Sequence, residues 1–495
     1  NADYKVSDRT VLYMKTTYSR VKRRSGAAPG YFRWKLAAPN TAASFLPGST
    51  FEALEARNGT LDLESVLYIR ESEGAALSGG LEHKFLGQTA KLTLDCNYSK
   101  NRTMYPQLYQ LFAQMTGVGW QLDRRGRDPW LPQVRQTAGA DWSDPASYRV
   151  RPDSQLISYS APAQRWGGRA DLEKNFFGAR PFTLKAGVKQ SNFYQKANRD
   201  LNYYTYAGPA TTPATGGTKP YVGYNMKMAY GRYGPFPFLQ MPGTGLAGDG
   251  WANRALWTQT SSDVWNTRYQ SQLNDVEFTD TINAAFAQGN TRFGGLRILT
   301  GLRFEETRTS GSNFLRVSNA TNNNQGALPV EQNAARARAN FRQWRTQGTK
   351  YRNIFPGIHF ASAFGNNWQA RASYNVSITR PSPVNLLPNI VPNEDAQTLS
   401  AGNPTLKPYT SDNFDVSVAR YFAGIGQVSA GVFLKEITNY FRSFRGTVPA
   451  GADNGFNGEY AGWTITQNRN VGSARIRGIE LNYQQQYTFL PGFWR

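Results

Sequence analysis

Trp368-Gln369-Ala370-Arg371-Ala372-Ser373-Tyr374-Asn375-Val376-Ser377-Ile378-Thr379 reads as a strand in which every second residue is apolar. Trp368, Ala370, Ala372, Tyr374, Val376 and Ile378 fall on one face, and Gln369, Arg371, Ser373, Asn375, Ser377 and Thr379 on the other, because successive strand side chains point to opposite sides. Lys91 to Ser99 repeats the pattern, with Leu92, Leu94, Cys96 and Tyr98 set against Lys91, Thr93, Asp95, Asn97 and Ser99. Val428, Ala430, Val432 and Leu434 alternate with Ser429, Gly431, Phe433 and Lys435, and Ile479, Leu481 and Tyr483 with Glu480, Asn482 and Gln484. The run Phe414, Val416, Val418 breaks at Arg420, beside a turn, where a long cationic side chain can reach headgroups.

Outward from these strands, short aromatic-glycine segments mark tight turns: Phe85-Leu86-Gly87, Phe176-Phe177-Gly178, Phe293-Gly294-Gly295, Phe364-Gly365-Asn366, Tyr421-Phe422-Ala423-Gly424 and Phe489-Leu490-Pro491-Gly492, with Val6-Ser7-Asp8 a seventh. Between them the sequence predicts long loops near 24–60, 104–160, 200–270, 311–349, 381–410 and 444–462. One rim is trimmed and ringed with aromatics, the other elaborate, which is the asymmetry of an outer-membrane barrel with short periplasmic turns and long extracellular loops. The turns predict about 13 strands, an odd number, whereas bacterial single-chain barrels have even counts and close on themselves. The expectation is an all-β antiparallel transmembrane barrel in which residues 1–495 are one incomplete barrel domain.

Composition agrees. The 495 residues include 47 Gly, 26 Pro, 12 Trp, 27 Tyr and 28 Phe, so the apolar mass comes in rings that favour strands over helices. No run of about 18 apolar residues exists, which excludes a helical span and leaves a barrel open. Cys96 is the only cysteine, so an internal disulfide framework and a CxxC redox pair are excluded. The balance of 56 basic against 34 acidic residues gives +22. Those cations are dispersed and no zinc-finger spacing, RNP-like strand or basic heptad accompanies them, so the charge points to anionic lipid rather than nucleic acid.

Gly402-Asn403-Pro404-Thr405-Leu406-Lys407-Pro408, followed by Ser411-Asp412-Asn413-Phe414-Asp415, resembles the segment that TonB-dependent outer-membrane receptors carry before a late barrel strand. Asn470-Val471-Gly472-Ser473-Ala474-Arg475-Ile476-Arg477-Gly478-Ile479-Glu480-Leu481 is similar to the next characteristic strand of that family, and Thr379-Arg380-Pro381-Ser382 to its strand-to-loop exit. The likeness is strong over roughly 280–495 and thin before it. It implies part of a barrel of about 22 strands around a plug. It also implies uptake of a scarce nutrient into the periplasm with TonB-coupled energy, in the bacterial outer membrane, with no enzymic activity. The plug, the first strands and the last strands are expected outside this chain, so the TonB complex is a partner through a plug not present here. A passive porin or structural barrel is the alternative, and an outer-membrane hydrolase a third reading.

Candidate ligand residues sit in the loops. The stretch from Asn202 to Tyr269 carries Tyr203, Tyr204, Tyr224, Tyr230, Arg232, Trp251 and Trp257, and a second cluster holds Trp120, Arg124 and Trp130. Rings stack on sugars or siderophore aromatics and cations hold carboxylates; the same rings also serve as the miniature core of a self-packed loop. Arg297, Arg303, His359, Arg371 and Lys435 fall on polar strand faces and would line the lumen, favouring an anionic cargo or packing against a plug. Gly243-Thr244-Gly245-Leu246-Ala247-Gly248 fits GxGxxG, but the Pro-rich residues before it cannot form a central parallel strand, so it reads as a flexible loop. His83 and His359 are the only histidines. No catalytic residue, metal or cofactor is assigned. The expected partners are outer-membrane lipid and lipopolysaccharide and a small-molecule or oligosaccharide ligand, and a surface lipoprotein could cap the loops.

Overall fold

The computed structural model describes all residues except 1, 26–31, 38–44, 127–132, 143, 145–146, 151–153, 208–253, 317–321, 366, 394–395, 423–425, 457 and 487–495. The alternating segments become thirteen strands that follow one another round the sheet, with shorter strands at Phe32–Ala37, Gln133–Ala138, Arg149–Val150 and Trp257–Thr258 added beside them. The thirteen are β1 (Ala2–Ser7), β2 (Thr10–Ser25), β3 (Ala53–Phe85), β4 (Ala90–Asp123), β5 (Ser154–Phe176), β6 (Phe182–Tyr206) and β7 (Val276–Phe293). There follow β8 (Leu296–Arg316), β9 (Phe341–Phe364), β10 (Trp368–Thr379), β11 (Tyr409–Tyr421), β12 (Gly426–Thr447) and β13 (Thr464–Gln485). Each pairs antiparallel with the next, so sequence neighbours are sheet neighbours throughout. Among the described residues β1 and β13 do not pair with each other.

The register carries one lipid-type face across the whole sheet. Leu302 and Phe304 on β8 share a face with Ile354 on β9, and Val416 on β11 with Val432 on β12 and Ile479 on β13; all of these are exposed. Leu481 is 80% exposed on the same outer face. An apolar face uncovered on this scale is stable only against hydrocarbon, and the antiparallel ladders satisfy the backbone groups that hydrocarbon cannot. No helix among the described residues is long and apolar enough to cross a membrane, which says nothing about strands.

Tight turns form where the aromatic-glycine segments predict them. Gly294 has φ +56 and Gly365 φ +54, conformations that glycine adopts without a Cβ clash, and Leu86, Gly87 and Gln88 are left-handed in succession between β3 and β4. The Phe489 to Gly492 turn and the GxGxxG segment lie outside the described residues.

The opposite rim departs from expectation. Residues 104–160 were expected as loop, yet β4 runs on to Asp123 and β5 starts at Ser154; within 24–60, β3 already begins at Ala53. The strands continue beyond the membrane, where one face no longer meets lipid and the period-two signal fades. The rim also holds two helices, α1 (Ser261–Asn274) and α2 (Val330–Ala339). Thr260 caps α1 in a reciprocal box with Asp263, and Trp265 stacks on Tyr269 at 4.5 Å beside Phe341 and Ala337. A short helix, α3 (Pro383–Leu386), and a hairpin of Ile390–Asn393 with Thr398–Ala401 occupy the loop before β11.

Candidate functional site

The face opposite the apolar one is polar, and all five predicted lumen residues lie on it. Leu299 pairs with His359, Ala361 with Arg371, and Asn375 with Asn413, which pairs in turn with Lys435, so these positions share one side with Arg297 and Arg303. Phe286, Leu299, Arg303, Phe355, His359 and Asn375 surround a hollow of about 390 Å³, which brings Arg303 and His359 together. Arg303 is paired with Glu305 at 2.7 Å, Arg297 donates to Asn290 at 3.0 Å, and Arg371 donates to Gln369 at 3.0 Å. Lys435 lies 5.9 Å above the Phe433 ring.

Sequence reading missed other charges on this face. Asp171, 1% exposed, is held by Arg169 and by Lys185 at 3.4 Å, while Arg169 approaches Asp95 at 3.9 Å. Higher up, Arg380 reaches Glu305 at 2.5 Å, and Asp280 keeps one buried carboxylate oxygen without a hydrogen bond. Burial pushes the Asp280 carboxyl above its ordinary value, against the pull of Arg380 and Arg165. Once the phase of alternation on β5 and β7 is set by their neighbours, Arg169, Asp171 and Asp280 follow from it.

The segment from Arg380 to Pro408 folds back onto this polar face as a strap. Leu386 and Leu406 pack with Phe278, with Phe193 and Phe441 beside them. A Cβ on Gly311 would lie 3.0 Å from the Leu386 carbonyl oxygen, so the strap backbone lies directly on β8. The segments singled out as motifs are its fastenings. Asn403 donates to the Asn468 carbonyl at 2.9 Å and accepts from Thr405, and Gln467 donates to the Gly402 carbonyl at 2.7 Å. Asn470 accepts from the Lys407 amide at 3.0 Å and donates to the carbonyls of Lys407 and Asn439 at 2.9 and 2.7 Å. Thr398–Ala401 runs parallel to the start of β13. Beneath, the Asn413 side chain bridges Asn375 and Ser377.

The loop candidates divide. Trp120 is buried with Ala56, Leu61, Met115, Val118, Trp142 and Tyr148, and Arg124 lies 4.8 Å above the Phe51 ring. Trp257 is 7% exposed and meets Tyr206 edge-on at 5.3 Å. These tryptophans form the inside of folded loops and offer no open ring in this arrangement. Tyr203 and Tyr204 stand half-buried near the end of β6. Tyr224, Tyr230, Arg232, Trp251 and Trp130 lie outside the described residues.

Residues 97–495 match the family model of the TonB-dependent receptor-like β-barrel, reaching well upstream of the motif-rich part. The chain belongs to the TonB-dependent receptors. Members of this family are outer-membrane transporters and not enzymes. Solved structures similar to the chain include the hemophore receptor HasR of Serratia marcescens, captured with its hemophore HasA and heme, at 14% identity and TM-score 0.37, covering 90% of this chain and 63% of that one. Others are a mutant of the ferric enterobactin receptor PfeA of Pseudomonas aeruginosa in complex with enterobactin, at 11% identity, TM-score 0.38 and coverage of 97% and 61%, and the ferric-catecholate import receptor Fiu from E. coli K12, at 9%, 0.39, 98% and 60%. The chain thus spans less than two thirds of these TonB-dependent receptors. A search of the curated proteins found no match.

Proposed function

We propose that this chain is the barrel portion of a receptor in the bacterial outer membrane that captures a scarce nutrient, a ferric siderophore or glycan-like ligand, and passes it to the periplasm with TonB-coupled energy. The observation that carries the reading is the strap fastened over a polar inner face bearing Arg297, Arg303, Arg371, Lys435 and His359. Such a face attracts an anionic cargo, and a strap held by side-chain hydrogen bonds, the Leu386 and Leu406 packing and one short parallel pairing can be displaced without unpairing the long antiparallel ladders. The hollow lined by Arg303 and His359 offers hydrogen-bond donors to carboxylate, catecholate or phosphate groups. The TonB complex acts through a plug, and a surface lipoprotein could present the ligand to the outer loops.

The test is uptake by cells whose only receptor is the intact protein, using ferric catecholate and ferric hydroxamate complexes and neutral oligosaccharides as probes. Arg303→Gln with Arg371→Gln is expected to lower uptake of the anionic probe at least tenfold with unchanged surface abundance. Removing TonB is expected to abolish it. Uptake that persists without TonB would overturn energised import and leave a passive pore.

A further inference from the structure

Four of the six strands that rise from tight turns share a pattern on their outer face; β6 and β10 depart from it, with Gln190 and Asn192, and Val376 and Ile378, at the same two places. The eighth residue beyond the strand start is Tyr18 on β2, Tyr98 on β4, Phe304 on β8 and Leu434 on β12, and the tenth is Arg20, Lys100, Glu306 and Glu436. At about 3.4 Å per residue and about 40° of tilt, these levels stand about 21 and about 26 Å above the turns, and an outer-membrane apolar band is about 25 Å tall. The ring level is the upper girdle, and the charged level lies at its edge.

At and just above that level several acids are held by cations. Glu71 receives Lys22 at 2.9 Å and Arg20 at 3.6 Å. Glu306 receives Arg308 at 2.7 Å, Arg352 at 2.9 Å and Lys350 at 3.1 Å. On the last two strands Glu436 pairs with Arg475 at 2.5 Å.

Arg477 stands below the charged level. It pairs in register with Leu434, two residues nearer the turn than Arg475, and therefore stands at the ring level among apolar outer-face neighbours. It is exposed on the outer face. An arginine on the lipid face at this depth is unfavourable unless it meets an anion or reaches the interface. Directly beneath runs an outer-face groove bounded by Phe414, Val416, Val432, Leu434 and Ile479, with Glu436, Arg475 and Arg477 at its head. The groove is apolar along its length and cationic at one end, which is the chemistry of an acyl chain carrying a phosphate.

We propose that this groove binds one phosphate-bearing lipid of the outer leaflet, its acyl chain along Val416, Val432 and Ile479 and its phosphate on the guanidinium groups of Arg477 and Arg475. The site rests on the reading that the sheet spans the membrane, and is otherwise independent of cargo and of TonB.

The experiment uses the intact receptor purified in detergent, with lipid retention read by native mass spectrometry. Phosphatidylglycerol is the probe, diacylglycerol the phosphate-free comparison and inorganic phosphate the chain-free one. Phosphatidylglycerol is expected to bind at least tenfold more tightly than diacylglycerol, with millimolar inorganic phosphate failing to displace it. Arg477→Gln is expected to weaken phosphatidylglycerol at least tenfold, Arg477→Lys by a smaller factor, and Arg9→Gln, at a turn, not at all. Equal affinity for both lipids, or unchanged affinity in Arg477→Gln, would overturn the proposal, and displacement by inorganic phosphate would show an anion site without a lipid. The charge-conserving variant keeps the test decisive if Arg477→Gln misfolds. A nitroxide on the native Cys96, on the outer face between Leu94 and Tyr98, separates the two readings. A label immersed in hydrocarbon with no Arg477 effect sinks only the lipid site, whereas a water-exposed label sinks the spanning reading itself.

Discussion

Asp280 shows how one residue of the inner face records its surroundings. Its carboxyl is held above the ordinary value of 3.8 by burial, with Arg380 and Arg165 only partly offsetting that penalty. The folded protein therefore keeps a proton that the unfolded chain would release. The stability contributed by that protonation is present in full below 3.8 and is lost as pH rises through the higher folded value. Asp280→Asn is expected to raise the midpoint of heat-modifiable gel migration at pH 7 and to change it much less near pH 4. An equal shift at both pH values would show that the carboxyl's ionisation is not the cause. None of this was visible in the sequence, where Asp280 is one acid among many; its burial comes from neighbouring strands.

At the scale of elements, the strap is the part whose role the motifs foreshadow. Asn403 and Asn470 are ordinary surface residues by type, yet their side chains satisfy backbone groups of β13 and of the strap that would otherwise be left unpaired. Asn403→Ala is expected to destabilise the strap by about 1–3 kcal/mol, the penalty for leaving such groups without partners. Hydrogen exchange should then quicken at the amides of Gly402 and Leu406, with the β11 and β12 ladders unchanged. Uniform protection across the strap would show that the Leu386 and Leu406 packing alone fixes it. The long rim strands and the helices α1 and α2 were not legible as such. Outside the lipid a strand no longer needs a continuous apolar face, and α1 and α2 bury only part of one side, so neither period stands out.

For the molecule as a whole, the decisive quantity is where the apolar face sits. Cys96 is the only thiol in the chain, is exposed, and lies on that face. A nitroxide attached to it in reconstituted vesicles should be relaxed by oxygen and shielded from a polar nickel reagent. The reverse accessibility would be incompatible with a membrane-spanning sheet. The same map places part of the basic surplus: cations gather near the outer-face edge level around Glu71 and Glu306 and recur along the inner face from Arg169 to Lys435.

Alternation and turn chemistry by themselves determined the antiparallel strand order and the apolar face of the clearest strands, β4 and β10 to β13, since a period of two forces every second side chain outward and a short turn can only join antiparallel neighbours. Trp368 to Thr379 already contained that answer, down to Arg371 facing away from Val376. Tertiary structure alone decided that Trp120 and Trp257 close on their own loops, that Arg380 crosses to Glu305, and that Arg477 stands level with Leu434, one step below the Glu436–Arg475 pair. Those outcomes depend on which strand supplies the facing residue and at what height. Register and loop packing fix both, and no local period encodes them.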